Sequence, residues 1–568
     1  MNIGEELKKV VSGEVRVDDM TLETFAEDAS IFHIKPEVVV APRDVEDICE
    51  IVKWVNARKR DYPEKSKGLS ITPRSAGSDM GGGPLSESIV LDMLPHFQGI
   101  FELGLHSDKT GWARVLPGTY YRDLKVRATL EGLLLPCYTA SKTINTLGGM
   151  VANNSGGEKT LAYGKTDRYV EELKIVLADG KEHNFFPLSK KELGIKLKST
   201  DPADAYEQGI FDKLYKLFST YHKLIKDSRP DVSKNSAGYN IWNVWDGETF
   251  DITKLITGSQ GTLGIITEVT LRLVRPKEHS TLLAIFLKDF SALPAVVGEV
   301  LKHHPESFES YDDHTMKIAL KYFPSMLKMI GARNMFKLAL DFLPEFWMVL
   351  SGGAPKLVLV AEFTGDNEDD VYRKARQAGK AVTNLNIGGV QIHQTKSDEE
   401  ERKYWTVRRQ SFALLRNHVH GRHTAPFIDD LCVRPDKLAL FMPRLEKIMQ
   451  GYDITYTVAG HVGDGNFHII PLMDYTRPDF RKIIRELAEK VYGLVAEFGG
   501  SISGEHNDGV IRTPYLSTMY SPKIMGIFSE IKEIFDPFNI FNIGKKVPGK
   551  VEGDLGTLGY ALSHIKPK

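Results

Sequence analysis

The apolar run Val38-Val39-Val40 ends near Pro42, and Val45, Ile48, Ile51, Val52 and Val55 then recur at helical spacing. Leu69-Ser70-Ile71-Thr72 reads as a second strand, so these segments predict a β-α-β unit. The theme repeats: a strand ends at Val115 to Gly118, a helix is predicted over Tyr121 to Glu131, and a strand over Leu173 to Leu177 turns at Asp179-Gly180. Met1 to Glu27 suits a short helix and a connection, and a polar, helix-rich insertion covers about Ser189 to Ser236. Further on, Ile454 to Val458 and Ile469 to Leu472 flank Asp464-Gly465, a dipeptide suited to a two-residue hairpin turn. Pairing outward from that turn sets Gly463 against Asn466, Val462 against Phe467 and His461 against His468.

Three glycine-rich stretches interrupt this pattern. Pro73-Arg74-Ser75-Ala76-Gly77-Ser78-Asp79-Met80-Gly81 follows the second strand, where converging backbone N–H groups can hold a phosphate. The run Thr146 to Gly157 is built of small residues and amides, which lets an extended cofactor lie against backbone. Leu255 to Ile266 is the third. One such loop is a weak signal, whereas three in one α/β region point to a nucleotide-like cofactor.

The chain of 568 residues is too long for one core. Its Lys+Arg 73 and Asp+Glu 75 leave a balance of −2, which gives no overall field for nucleic acid. Cys49, Cys137 and Cys432 are scattered without a Cys-x-x-Cys, against a disulfide framework or a cysteine-ligated cluster. The amino terminus mixes charges without an apolar core, so a cytoplasmic protein is expected.

The predicted hairpin puts two imidazoles on one face, where they can chelate zinc, manganese or iron or form a structural pair. Ser503-Gly504-Glu505-His506 adds a carboxylate and a third imidazole.

The order PRSAGSDMGGG, GLLLPCYTASKTINTLGGMVANNSGG, LITGSQGTLGIITEVTLRL resembles the FAD-binding domain of the vanillyl-alcohol oxidase/PCMH superfamily. GHVGDGNFH, SGEHNDG and FDPFNIFNIGKKV are similar to its D-lactate dehydrogenase, glycolate oxidase and D-2-hydroxyglutarate dehydrogenase branch. The resemblance implies an α+β protein: a helical extension over 1–27, a two-subdomain PCMH-type FAD domain over 28–275, a cap of antiparallel sheet and helices over 276–537, and a return to the flavin over 538–568. It implies non-covalent FAD, with Pro73, Arg74, Ser75, Ala76, Gly77, Ser78, Asp79 and Gly81 at the pyrophosphate. Ser141, Thr143, Gly148, Gly149, Asn153, Ser155 and Gly156 would line the flavin and ribityl chain. Gly258, Gly261, Thr262, Gly264 and Ile266 would sit near the adenosine half, and Asn542 would reach the flavin ring. By the same resemblance His461, His468 and Glu505 are metal ligands, His506 is the catalytic base, and Arg408 in Trp405-Thr406-Val407-Arg408-Arg409 clamps the substrate carboxylate, with Arg409 in reserve. Ile428 stands where hydroxyglutarate enzymes of the family carry a lysine, which favours D-lactate or another monocarboxylic 2-hydroxy acid. Arg422 and His423 lie near enough in sequence to compensate.

Residues 311–353 interleave Met, Phe, Leu and Trp with Lys328, Arg333 and Lys337. No uncharged run there is long enough to span a bilayer, and the composition suits a helix at a membrane surface or a buried helix pair over the cap. The expected partners are thus a small 2-hydroxy acid and an electron acceptor (a quinone, an electron-transfer flavoprotein or a cytochrome), with membrane-surface contact and a homodimer as further expectations. Two rivals stand beside this reading: a non-redox transferase of the alkyl-dihydroxyacetone-phosphate synthase type, and the FAD subunit of a multi-subunit glycolate oxidase.

Overall fold

A computed structural model of the chain describes residues 3–313, 355–418, 422–549 and 556–565. The segment expected to touch a membrane, 311–353, lies almost wholly outside the described residues. Among the described residues no helix is long and apolar enough to cross a membrane.

The first sheet holds β1 (Glu14–Arg16), β2 (Val38–Ala41), β3 (Ile71–Arg74) and β4 (Ile89–Asp92) in the order β1-β2-β4-β3, with β2, β4 and β3 parallel. The helix Val45–Asp61 links β2 to β3 and buries Ile48, Ile51, Val52 and Val55 against the sheet, the face that the apolar periodicity marks. Asp44 caps it, accepting from the backbone N–H of Asp47 at 3.1 Å. The C-terminal segment returns to the open side of β3: Ile71 and Asn542 exchange backbone bonds with Ile540 and Ile71 at 2.7 and 2.9 Å.

The second sheet is antiparallel, with β5 (Ile100–Leu105), β6 (Gly111–Val115), β7 (Val170–Val176) and β8 (Glu182–Phe185) joined by β11 (Ile265–Leu273) in the order β5-β6-β11-β7-β8. The insertion contributes three helices, Lys190–Lys196, Ala205–Thr220 and His222–Asp227, and at its base β9 (Leu188–Ser189) pairs with β10 (Thr249–Phe250). His183 of β8 joins the insertion to the sheet: its Nε2 is 3.0 Å from Asp179 and its Nδ1 3.2 Å from Glu207. Burial pushes this imidazole down, but the two carboxylates outweigh it and raise its pKa to about 9. Its contribution is full below the unfolded value near 6.5 and is lost as pH rises through about 9. H183Q is expected to lower Tm at pH 6 and to match the wild type above pH 10, as thermal melts across that range would show.

The third sheet runs β15 (Val390–Gln394), β12 (His279–Leu287), β14 (Leu357–Gly365), β13 (Ser307–Asp312), β18 (Thr455–His461), β19 (Asn466–Met473) and β16 (His423–Thr424), and β17 (Leu431–Cys432) also pairs with β19. The predicted hairpin forms, but in another register. A short 3-10 turn over Val462–Asp464 is closed by Gly465 at φ +67°, so four residues rather than two join the strands. His461 therefore faces Asn466, and His468 faces Ala459. The two histidines are diagonal neighbours on one face instead of direct partners. Their rings still approach to 5.3 Å, edge to face.

Candidate active site

A cavity of about 860 Å³ runs from the glycine-rich loops to the histidines of the third sheet. Of the expected cofactor residues, Pro73 through Asp79, Ser141, Gly148, Gly149, Asn153, Ser155, Gly156, Gly261, Gly264 and Ile266 line it. Gly81, Thr143, Gly258, Thr262 and Asn542 do not, and each has a local reason. The Gly81 N–H is turned onto Asp79 at 3.0 Å, and the Thr143 carbonyl accepts from Arg122. Gly258, at φ +87°, packs behind the wall against Asn154. Thr262 is fully buried, bonded through its hydroxyl to Tyr239 at 2.7 Å. Asn542 ties two of the loops together, donating to the carbonyls of Gly83 and Gln260 at 2.9 and 2.6 Å. Arg74 lays its guanidinium against Gly77 of the loop and donates to the carbonyls of Phe25 and Glu27 at 2.9 and 2.8 Å.

The short helix Leu147–Asn153 places Gly148, Gly149 and Asn153 on the cavity wall. A Cβ on Gly148 would lie 2.3 Å from Pro117, and one on Gly156 would lie 2.8 Å from the Glu505 carboxylate. The wall is thus backbone at the point where it meets the histidine cluster, which suits an extended cofactor lying between them.

His461, His468 and Glu505 meet around one point. The Nε2 atoms of His461 and His468 stand 3.1 and 3.5 Å from Glu505 Oε1. Behind each ring a carboxylate accepts from Nδ1–H: Glu309 from His461 at 2.6 Å, and Asp429 from His468 at 3.1 Å. That backing turns both Nε2 atoms inward, the arrangement that holds imidazole ligands on a metal. His506 stacks on His468 at 4.9 Å, and its Nδ1 is 2.9 Å from Asp429 Oδ2 but out of line for a hydrogen bond. Those two buried atoms are left without a hydrogen-bond partner.

Ligand atoms of Asp430, His468, Glu505 and His506 lie within 4.8 Å of one another. Asp430 is nevertheless a support. One of its oxygens accepts from the Ser503 hydroxyl and the backbone N–H groups of Glu505 and His506 at 3.0, 2.9 and 2.7 Å, and the other accepts from Asn466 at 3.0 Å. It fixes the Ser503–His506 segment.

The remaining charges explain the electrostatics. Lys234, with no exposure, bonds Glu505 Oε2 at 2.8 Å and lies 3.5 Å from Asp464. Burial alone would raise the Glu505 carboxyl, but Lys234 and His461 hold it well below the usual range. Asp429 is likewise held low, against burial, by His506 and His468. The imidazoles respond in the opposite sense: burial disfavours their charge, but Asp429 and Glu505 raise His468 to about 10. The imidazole and carboxylate donors of His461, His468 and Glu505 are a set suited to a divalent ion.

Arg408 reaches the cavity but is already paired with Glu309, from Nη2 at 3.0 Å and Nε at 3.1 Å. Arg409 makes a two-point pair with Glu158 at 2.6 and 3.0 Å. Arg422 lines the cavity and donates to Thr455 at 2.9 Å. Ile428 is fully buried and does not line it. Glu309, Asp429, Asp430 and Lys234 carry no motif that marks them: Lys234 lies in the insertion, and the two aspartates stand in a run whose only visible feature is a missing lysine.

An FAD binding domain matches residues 36–185, and the C-terminal domain of FAD linked oxidases matches residues 276–546. The chain carries both domains of an FAD-linked oxidase. This FAD-linked oxidase is 27% identical over 548 residues to the D-lactate dehydrogenase of Anaerostipes hadrus, covering 95% of this chain and 96% of that protein. It is 26% identical over 547 residues to the D-2-hydroxyglutarate dehydrogenase of Haemophilus influenzae, covering 94% of this chain but spanning only 50% of that relative's length. Its fold is similar to that of p-cresol methylhydroxylase with substrate bound, with a TM-score of 0.65 at 15% identity over 95% of each chain. Mixed helix and sheet with a PCMH-type FAD-binding fold, as the sequence predicts, is the architecture found.

Proposed function

We propose that this FAD-linked oxidase dehydrogenates a D-2-hydroxy acid, with D-lactate the substrate expected first. The observation that carries the reading is the convergence of His461, His468, Glu505 and His506 on a cavity shared with the glycine-rich loops. FAD held non-covalently along those loops would accept the hydride from the substrate Cα, and a divalent ion (Zn, Mn or Fe) at His461, His468 and Glu505 would acidify its hydroxyl. The rest falls to the chain's own groups. His506 takes the hydroxyl proton on its ring nitrogen. Arg408 offers a guanidinium edge to the carboxylate while Glu309 holds its other side. The backbone wall at Gly148, Gly149 and Gly156 keeps side chains from between cofactor and substrate. The electrons then pass to a quinone, an electron-transfer flavoprotein or a cytochrome, in a cytoplasmic protein resting on the inner face of the membrane and working as a homodimer. The composition of 311–353 supports the membrane contact.

Arg422 favours a second reading, a hydroxy diacid. It lines the cavity and donates to the Thr455 hydroxyl, whereas Arg408 and Arg409 are both paired with acids. One experiment separates the readings: anaerobic flavin absorbance as D-lactate, L-lactate, glycolate and D-2-hydroxyglutarate are added in turn, before and after chelation. Bleaching by D-lactate that chelator abolishes and Zn(II) or Mn(II) restores is the expected result. Faster bleaching by the diacid would shift the assignment to Arg422-mediated recognition. If no acid bleaches a loaded flavin, the dehydrogenase reading fails.

A further inference from the structure

The third sheet brings one acid, Glu309 of β13, between two groups with different tasks. It is 1% exposed at its side chain, and each of its oxygens is committed. Oε1 accepts from His461 Nδ1–H at 2.6 Å, and Oε2 accepts from Arg408 Nε at 3.1 Å, with Nη2 at 3.0 Å.

We propose that Glu309 is a positioning residue that fixes the His461 ring for metal binding and the Arg408 guanidinium for the substrate carboxylate. This role rests on the proposed metal and substrate assignments but needs neither turnover nor a bound flavin. A carboxylate can only accept, so it selects the His461 tautomer that carries hydrogen on Nδ1. That leaves the Nε2 lone pair on the side where Glu505 and His468 converge, and an ionised partner behind an imidazole makes it a better ligand. On its other edge the same carboxylate engages the Nε side of Arg408. A fork held along one edge presents its remaining N–H groups in one direction, toward the cavity that Arg408 lines. Residues on β18 and the helix Asp398–His418 would otherwise orient these groups independently, and one buried acid on β13 links them.

Replacing Glu309 by glutamine keeps the size but removes the charge and gives one end two donors. The amide oxygen can still accept from His461, and the amide nitrogen then faces the Arg408 donors. Without the ionised partner the imidazole ligand weakens, and metal affinity should fall by about 10- to 100-fold. Arg408 simultaneously loses the anion that holds its fork in line, so a carboxylate probe should also bind more weakly. A merely structural glutamate would lower both affinities only together with the melting temperature.

The test is equilibrium dialysis of wild type and E309Q against Zn(II) and Mn(II), with metal read by mass spectrometry, together with binding of oxalate, a carboxylate that cannot be oxidised here. Metal binding weakened at least tenfold and oxalate binding weakened with it, at a melting temperature close to wild type, support the role. Unchanged affinity for either ligand, or a loss of both that tracks a lowered melting temperature, overturns it, as does a wild type that binds neither metal. If E309Q does not fold, E309D decides: a carboxylate shorter by one methylene can reach one partner only. Wild-type affinity for both ligands in E309D would then overturn the proposal. Wild-type flavin that no 2-hydroxy acid reduces would sink the dehydrogenase reading alone, because dialysis reports on Glu309 either way.

Discussion

H506N is expected to slow anaerobic flavin reduction by a 2-hydroxy acid by about 10²- to 10⁴-fold, the usual worth of a positioned base. Asparagine keeps the polar tip and much of the ring's volume but cannot accept and hold a proton at neutral pH. The geometry makes His506 the candidate to remove. Its ring stacks on His468 at 4.9 Å with a 21° tilt, and its backbone N–H is pinned to Asp430 at 2.7 Å. The ring cannot easily leave the cavity, and its Nδ1 stands against Asp429 without a hydrogen bond. The backbone anchor to Asp430 survives substitution, so FAD content and Tm should stay close to wild type. Stopped-flow absorbance with D-lactate, followed by release and quantitation of flavin, separates a lost base from a lost cofactor. A reduction rate within threefold of wild type would remove His506 from the reaction and leave the proton to solvent or another group.

The sequence carried the fold further than it carried the site. Apolar periodicity locates β2, the helix Val45–Asp61 and β3 because each packs on one face of a small buried sheet. The hairpin between β18 and β19 was legible as a hairpin, but its register was not. Asp464-Gly465 is a favourable dipeptide, yet Val462 and Gly463 are also buried and join the turn, and a pattern of types cannot say which glycine takes positive φ. The slip matters less than a one-residue error would. His461 and His468 remain on one face because the shift keeps both on the side that meets Glu505. Histidines and a Glu-His pair announce themselves by type. Their supports do not: Glu309, Asp429 and Lys234 come from distant parts of the chain, and only the folded sheet brings them within 3.1 Å of the site residues. Arg408 shows the reverse limit. Its type fits a carboxylate clamp, but the sequence gives no sign that Glu309 already occupies one of its edges.

K234M should cost about 3–5 kcal/mol of stability, because it removes the cation from a buried network and leaves its acids behind. Lys234 has no solvent exposure, and its ammonium bonds Glu505 Oε2 at 2.8 Å, lies 3.5 Å from Asp464, and donates to Asn466 and the Gly157 carbonyl at 3.4 Å. Burial opposes its charge, yet Glu505 and Asp464 raise its pKa, so the ion is held by its partners. Methionine matches the stem's volume and supplies no charge, so packing is nearly preserved while two buried carboxylates lose their compensation. The expected readout is a lower denaturant midpoint in urea, with K234R intermediate because a guanidinium keeps the charge but not the fit. A divalent ion at His461, His468 and Glu505 would restore part of that missing positive charge. Saturating Zn(II) should therefore stabilise K234M more than it stabilises the wild type, even though loss of Lys234 frees Glu505 to turn. Equal stabilisation of the two proteins would mean that the ion does not bind beside Glu505. A midpoint unchanged by K234M would mean that Glu505 and Asp464 are not both ionised in the folded chain.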